Sequence, residues 1–179
     1  METAKEKLQK AFDVLKKEFG YKNRLAMPTI VKVVVNTSTG STKDKKKVEL
    51  IQDRLSKIVG QKVAPRAAKK SIASFKLRQG DIIGYSATLR GDRMYNFLNK
   101  LINIAIPRMR DFQGIDRSSI DEMGNLTLGI KEHTIFPETA DEDLKDVFGL
   151  SITIVTSAKT PKEAEAIFEK IGIPFKKKD

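Results

Sequence analysis

The chain has 179 residues, with 34 Lys plus Arg against 23 Asp plus Glu and a formal net charge of +11. Its length suits a single domain (1–179), and a 40% hydrophobic fraction can build a core, which excludes a wholly disordered basic tail. The absence of Cys excludes disulfides, thiol nucleophiles and Cys-ligated metals, and a single His excludes a multi-histidine site, so no metal and no cofactor are expected. No apolar run nears the ~18 residues of a membrane span. The first residues (METAKEKLQKAF) are charged where a signal peptide would be apolar, so a soluble, intracellular chain with no membrane partner is expected.

In chain order, residues 2–19 predict an amphipathic helix, with Leu8, Phe12, Leu15 and Phe19 on one stripe and Gly20 as its cap. After Pro28, residues 30–36 (IVKVVVN) read as a strand, and TSTGST (37–42) as a turn. A second helix is expected over roughly 44–59, then a short strand at 63–66 and a long basic loop, 66–80. Residues 82–90 (IIGYSATLR) predict a strand. A third helix is expected to start at Asp92 as N-cap and to end before Pro107. Residues 125–130 and 150–155 read as further strands, separated by a Pro-punctuated loop at 133–138. Thr160, Pro161 and Glu163 open a last helix that Gly172 and Pro174 close. Two successive strands joined by a loop rather than a helix point to antiparallel pairing. The fold class expected is therefore α+β, a mostly antiparallel sheet with helices packed on one face and long functional loops.

Charge is unevenly distributed. Residues 62–93 carry +6, whereas residues 116–146 carry −6. A basic face makes a polyanion, above all nucleic acid, the expected partner, and an acidic stretch in the same chain suggests a second, basic partner.

No phosphate-loop, dinucleotide or nucleophile-elbow motif is present. His133, beside Glu132, offers a general base, but a loop or strand-end histidine is the commoner case and no nucleophile accompanies it. Asp141, Glu142, Asp143 and Asp146 lack the glycine turn and terminal Glu of a calcium loop. The chain is therefore not expected to be an enzyme. The basic loop RAAKKSIASFKLRQG (66–80) is the stronger site: cations neutralise phosphate, small residues let backbone approach it, and Phe75 is either a core anchor or a stacking platform.

The stretches 60–115 (GQKVAPRAAKKSIASFKLRQGDIIGYSATLRGDRMYNFLNKLINIAIPRMRDFQGI), 124–138 (GNLTLGIKEHTIFPE) and 149–160 (GLSITIVTSAKT), with the strand ending at Asn36 and the closing GIPF, carry a family resemblance. They resemble the bacterial large-subunit ribosomal protein five family, the 5S rRNA-binding proteins of the central protuberance. The resemblance spans nearly the whole chain. It implies a cytoplasmic structural constituent of the large ribosomal subunit, with 5S rRNA, 23S rRNA, P-site tRNA, other central-protuberance proteins and a basic small-subunit head protein as partners. By position, Lys32, Asn36, Gln61, Lys62, Thr88 and Arg90 match the family's 5S rRNA surface. Lys69, Lys70, Ser71, Ser74, Lys76 and Arg78 match its tRNA-side loop. Asp111, Phe112, Asp141, Glu142 and Asp143, within an acidic region 111–146, are candidates for the intersubunit bridge. One departure stands out: where the family commonly has Asn-Met-Gly-Val-Gly after the first strand, this chain has Asn36-Thr37-Ser38-Thr39-Gly40. Two alternatives remain on sequence grounds, a free regulatory RNA-binding protein acting on messenger RNA and an RNA-cleaving enzyme built on His133.

Overall fold

A computed structural model describes residues 3–40, 44–110, 112–139 and 147–176. Helix α1 (Ala4–Phe19) begins because Thr3 and Glu6 form a reciprocal cap: the Glu6 N–H donates to the Thr3 hydroxyl (3.3 Å), and the Thr3 N–H donates to the Glu6 carboxylate (3.1 Å). Gly20, at φ +70°, ends it in the left-handed conformation that costs glycine nothing. The buried stripe is Ala4, Leu8, Ala11 and Leu15. Phe12 and Phe19, expected on that stripe, are only half-buried beside it.

Strand β1 (Ile30–Ser38) is two residues longer than expected. Thr37 and Ser38 are not a turn but the end of the strand, because β-branched and hydroxyl side chains suit a pleated surface. The buried Thr37 hydroxyl donates to the Gly149 carbonyl at 2.7 Å. Helix α2 (Lys45–Val59) is capped by Asp44, whose carboxylate accepts from the Lys46 N–H, and ends on Gly60 at φ +69°. Strands β2 (Ala64–Ala67) and β3 (Ile82–Leu89) pair antiparallel, Pro65 opposite Tyr85.

Helix α3 (Gly91–Lys100) starts earlier than expected, with Arg90 rather than Asp92 at the cap. Asp92 lies in its first turn, where a negative charge complements the helix dipole, and accepts from Lys5 Nζ at 3.1 Å. Nor does the helix stop before Pro107. It passes into a π turn (Leu101–Ala105) and a 3-10 turn (Ile106–Arg108), whose first positions tolerate a proline because no N–H is needed there. Strands β4 (Leu126–Ile130) and β5 (Leu150–Thr156) follow the expected alternation. Helix α4 (Pro161–Ile171) is capped by Thr160, whose hydroxyl accepts from the Glu163 N–H. The Glu163 carboxylate reaches back one residue further than the cap, to the Lys159 N–H.

The five strands form one antiparallel sheet in the order β2-β3-β1-β5-β4, so the α+β expectation holds. Alternation gives the core Val33 and Val35, Tyr85, Ala87 and Leu89, Leu126 and Leu128, Ile152 and Ile154, while on the opposite face only Ile30, Gly84 and Ser86 of β1 and β3 are buried as well. Contacts divide the chain into two compact units. The first comprises residues 1–33, 89–128 and 153–179. In it α1 packs on α3 and α4, and Arg117 is clasped by Glu165 and Glu169 of α4 with its guanidinium over the Phe175 ring. The second comprises residues 34–88 and 129–152, with α2 against the turn Pro137–Thr139.

Within the second unit the chains of β1 and β3 come unusually close. A Cβ on Gly84 would lie 2.5 Å from the Thr37 carbonyl oxygen, whereas a Cβ on Gly129 would meet nothing within 4 Å. Gly84→Ala is therefore expected to lower stability by about 1–3 kcal/mol, the usual cost of forcing backbone apart. Gly129→Ala should leave it unchanged or raise it by up to about 1 kcal/mol, because glycine in a strand is entropically unfavourable. Urea unfolding of both variants checks the contrast.

Candidate nucleic-acid interface

The interface is built on the side of the sheet that the core does not use. In β1 the core takes Val33, Val35 and Thr37, which leaves Lys32, Val34, Asn36 and Ser38 on the other face. Asn36 is exposed, and its side-chain amide has no hydrogen-bond partner among the described residues. Two shallow depressions flank it in the second unit. One, of about 410 Å³, lies between Asn36, Arg66, Gly84 and Ser86. The other, of about 440 Å³, lies between Asn36, Gly129, Lys131, Gly149 and Ser151. The glycines keep both floors low, and the Ser hydroxyls supply donors and acceptors.

Other residues of the second unit add to this face. Arg66 Nε donates to the Ser86 hydroxyl at 2.6 Å, which holds the guanidinium against the sheet. Gln61, half-buried, donates through Nε2 to the Thr88 carbonyl at 3.4 Å, and Lys62 and Thr88 are exposed. In the first unit Lys32 is half-buried on the same face of β1 as Asn36. Arg90, expected within the strand, instead follows β3 at the cap of α3. Its backbone is still extended (φ −140°, ψ 163°), so its side chain continues the alternation of Thr88. Lys32, Lys62 and Arg90 form no ion pair among the described residues, and their charge is unspent.

The basic loop is not structureless. Ile72 and Leu77 exchange two backbone hydrogen bonds (3.1 and 3.2 Å) around the tight turn Ala73–Phe75. Lys76, with φ +52°, is the one non-glycine residue in the left-handed region among the described residues, a conformation that costs about 1–2 kcal/mol. Asp81 ties the base: its carboxylate accepts from the Arg78 N–H at 2.8 Å and its carbonyl from the Ala68 N–H at 2.8 Å. The Ser71 hydroxyl accepts from the Gln79 N–H at 2.9 Å, so Ser71 builds the loop as well as lining it. Lys69, Lys70, Ser74, Lys76 and Arg78 are exposed. Phe75, ambiguous by sequence, is 71% exposed and belongs to no core.

Of the bridge candidates, Phe112 is half-buried, while Asp111, Asp141, Glu142 and Asp143 lie outside the described residues. His133 is wholly buried and stacked on Phe148, with ring centroids 4.2 Å apart. The Phe148 N–H donates to Nδ1 at 3.4 Å, and the Arg54 guanidinium lies 3.5 Å from Nε2. Burial, reinforced by the Arg54 charge, pushes its pKa down to about 4. It is a neutral core histidine with no access to a substrate. Among the described residues no three His, Cys, Asp or Glu side chains group to hold a metal ion, and no helix is long and apolar enough to cross a membrane.

Residues 23–78 match the family model for ribosomal protein L5, and residues 82–175 match the model for the C-terminus of the same ribosomal family. The chain belongs to the ribosomal protein L5 family. It is 51% identical over 162 residues to the large ribosomal subunit protein uL5 of Mycoplasma mycoides, covering 90% of each chain. With uL5 of Ureaplasma urealyticum it shares 50% over 164 residues, 91% of this chain and 89% of the relative. With uL5 of a Thermoanaerobacter species it shares 46% over 179 residues, 99% and 100% of the two chains. This L5 chain is thus a ribosomal protein of the large subunit, a structural component and not an enzyme.

Sequence reasoning missed Ser38, Lys131 and Ser151 beside Asn36. The alternation along β1 and β5 carried the signal for Ser38 and Ser151, but assigning 37–42 to a turn hid it. The depressed pKa of His133 also sets a pH dependence. Its unfolded value is near 6.5, so between about pH 6.5 and pH 4 the unfolded chain takes up a proton that the native L5 chain refuses. Stability from this residue is complete above about pH 6.5, falls as pH drops, and stops falling below about pH 4. Urea unfolding at pH 7.0 and 4.5 should show the wild type losing about 2–3 kcal/mol more than His133→Gln.

Proposed function

We propose that this L5 chain binds 5S rRNA through the open face of its sheet and anchors it in the central protuberance of the large subunit, in the bacterial cytoplasm. 23S rRNA and other central-protuberance proteins are its neighbours there. The observation that carries the reading is Asn36: an exposed, unpartnered amide between two glycine-floored depressions, on a strand whose other face is fully committed to the core. Such an amide can read a base edge or a 2′-hydroxyl, and a low floor admits a sugar–phosphate backbone close to the sheet. The cations Lys32, Lys62 and Arg90 neutralise phosphate and release counterions, which supplies salt-dependent affinity. Gln61, Thr88 and the serines add shape and polar contacts that select the site.

The loop 66–80 is the side that approaches P-site tRNA. Its exposed cations and Phe75 are held out by the Ile72–Leu77 bonds, so tRNA meets a formed platform rather than a chain that must order on contact. The acidic region 111–146 faces a basic protein of the small-subunit head. Opposite potentials align two surfaces without requiring tight burial.

Arg90→Ala is expected to weaken 5S rRNA binding by about 1–3 kcal/mol with no loss of stability, since the side chain is exposed. Filter binding against a length-matched control RNA, between 50 and 300 mM salt, checks this, and equal affinity of the wild-type chain for both RNAs would overturn the reading. Lys69→Ala with Lys70→Ala should leave 5S rRNA affinity within about twofold while perturbing P-site tRNA placement, read by footprinting of assembled ribosomes. A large loss of 5S rRNA affinity in that double variant would refute the division between face and loop.

A further inference from the structure

The first unit holds a second basic cavity that the sheet face does not explain. It has a volume of about 490 Å³, within the range of small-ligand pockets, and is lined by Lys5, Arg24, Leu25, Thr29, Tyr95 and Ser157, with Leu8 and Met27 beneath. Leu25 is 92% exposed. It is not on a loose segment, because Asn23 caps the turn Arg24–Ala26: its side-chain oxygen accepts from the Leu25 N–H at 3.1 Å, and the Met27 N–H closes the turn on the Arg24 carbonyl at 3.2 Å. An aliphatic side chain held rigidly in water at the mouth of a cavity is a docking feature.

Part of the remaining lining is uncommitted and part is fixed in place. Arg24 makes no ion pair or hydrogen bond among the described residues through its guanidinium, nor do the hydroxyls of Tyr95 and Thr29. Lys5 stands over the Tyr95 ring, 5.9 Å from its centroid, and its ion pair with Asp92 is exposed on both sides and so easily exchanged. Thr29 and Ser157 are locked together by two hydrogen bonds of 2.9 Å each, which makes the back wall rigid.

We infer that this cavity receives one unpaired nucleotide of a ribosomal RNA: its phosphate against Lys5 and Arg24, its base between Leu25 and the Tyr95 ring, and its ribose hydroxyl near Thr29. Two cations call for an anion. The aliphatic and aromatic walls call for a flat apolar body attached to it, and the free hydroxyls for a polar sugar. A paired base presents no free face, so the nucleotide must be extruded or single-stranded.

The test is a nuclear magnetic resonance titration of the full chain with three probes: a mixed-sequence single-stranded RNA nonamer, the same nonamer as a duplex, and a nonaglutamate peptide. The single strand should shift the Leu25, Thr29 and Tyr95 signals saturably, and the duplex and peptide should not. Arg24→Ala with Leu25→Ser should weaken that site at least fivefold at unchanged melting temperature, since both side chains are exposed, and Leu25→Met should retain it. Absence of shifts at these residues, equal shifts with duplex or peptide, or an undiminished response in the double variant would overturn the inference. Asn36 and Thr88 report the sheet face separately, so failure there and failure here are distinguishable.

Discussion

Everything on the open side of this molecule depends on the register of its central strand. β1 has β3 on one edge and β5 on the other, so its backbone groups are committed in both directions. Side chains alternate with a period of two, and a slip of one residue would carry Lys32 and Asn36 into the core and expel Val33 and Val35. Two local devices in the second unit oppose that slip. The absence of a side chain at Gly84 lets β3 approach the Thr37 carbonyl, and the buried Thr37 hydroxyl finds its one partner at Gly149. Moving the strand would lose both. The polar face is thus a consequence of core packing, with a row of valines holding Lys32 and Asn36 outward.

The chain holds its cations in two physically different ways. On the sheet, Lys32 stands on a strand and Arg66 is pinned to Ser86, so their positions are defined before any partner arrives. At Lys69, Lys70, Lys76 and Arg78 in the loop the side chains are exposed, and the order lies in the backbone, through the Ile72–Leu77 pair and the Asp81 bonds at the base. Rigid charges suit an RNA of fixed shape, while free charges on a formed backbone suit a partner that changes from one moment to the next. The left-handed Lys76 fits this picture. The strain there is met by the bonds around it and turns the chain so that Phe75 and its neighbours face solvent.

Elements were legible in the sequence where one residue carried the signal locally. Gly20, Gly60 and Gly172 all end helices in the left-handed conformation, and Thr160 caps α4. The open-face positions of β1 followed from alternation, and their match to a known family supplied most of the candidate residues. What was hidden depends on contacts between distant segments. Thr37 looks like a turn residue until Gly149, 112 positions on, supplies an acceptor for its hydroxyl. Phe75 could not be assigned inside or outside, because only the fold shows that nothing covers it. Arg24 and Leu25 drew no notice, since Lys5, Tyr95 and Ser157 come together only when α1, α3 and the end of β5 pack.

The departure from the family's glycine-rich turn follows from the same geometry. Ser38 has the strand conformation, not a left-handed one, so no glycine is required of the backbone here. Its side chain falls on the open face beside Asn36, where a glycine would offer nothing, and its hydroxyl lies 3.5 Å from the Ile83 carbonyl. Thr37, in place of an apolar residue, carries its hydroxyl inward to Gly149 and leaves its methyl to the core. Thr39 is also buried, but its hydroxyl oxygen finds no partner among the described residues, so the cost of the departure falls there. The substitution therefore adds a hydroxyl to each depression next to Asn36 without disturbing the strand that presents it.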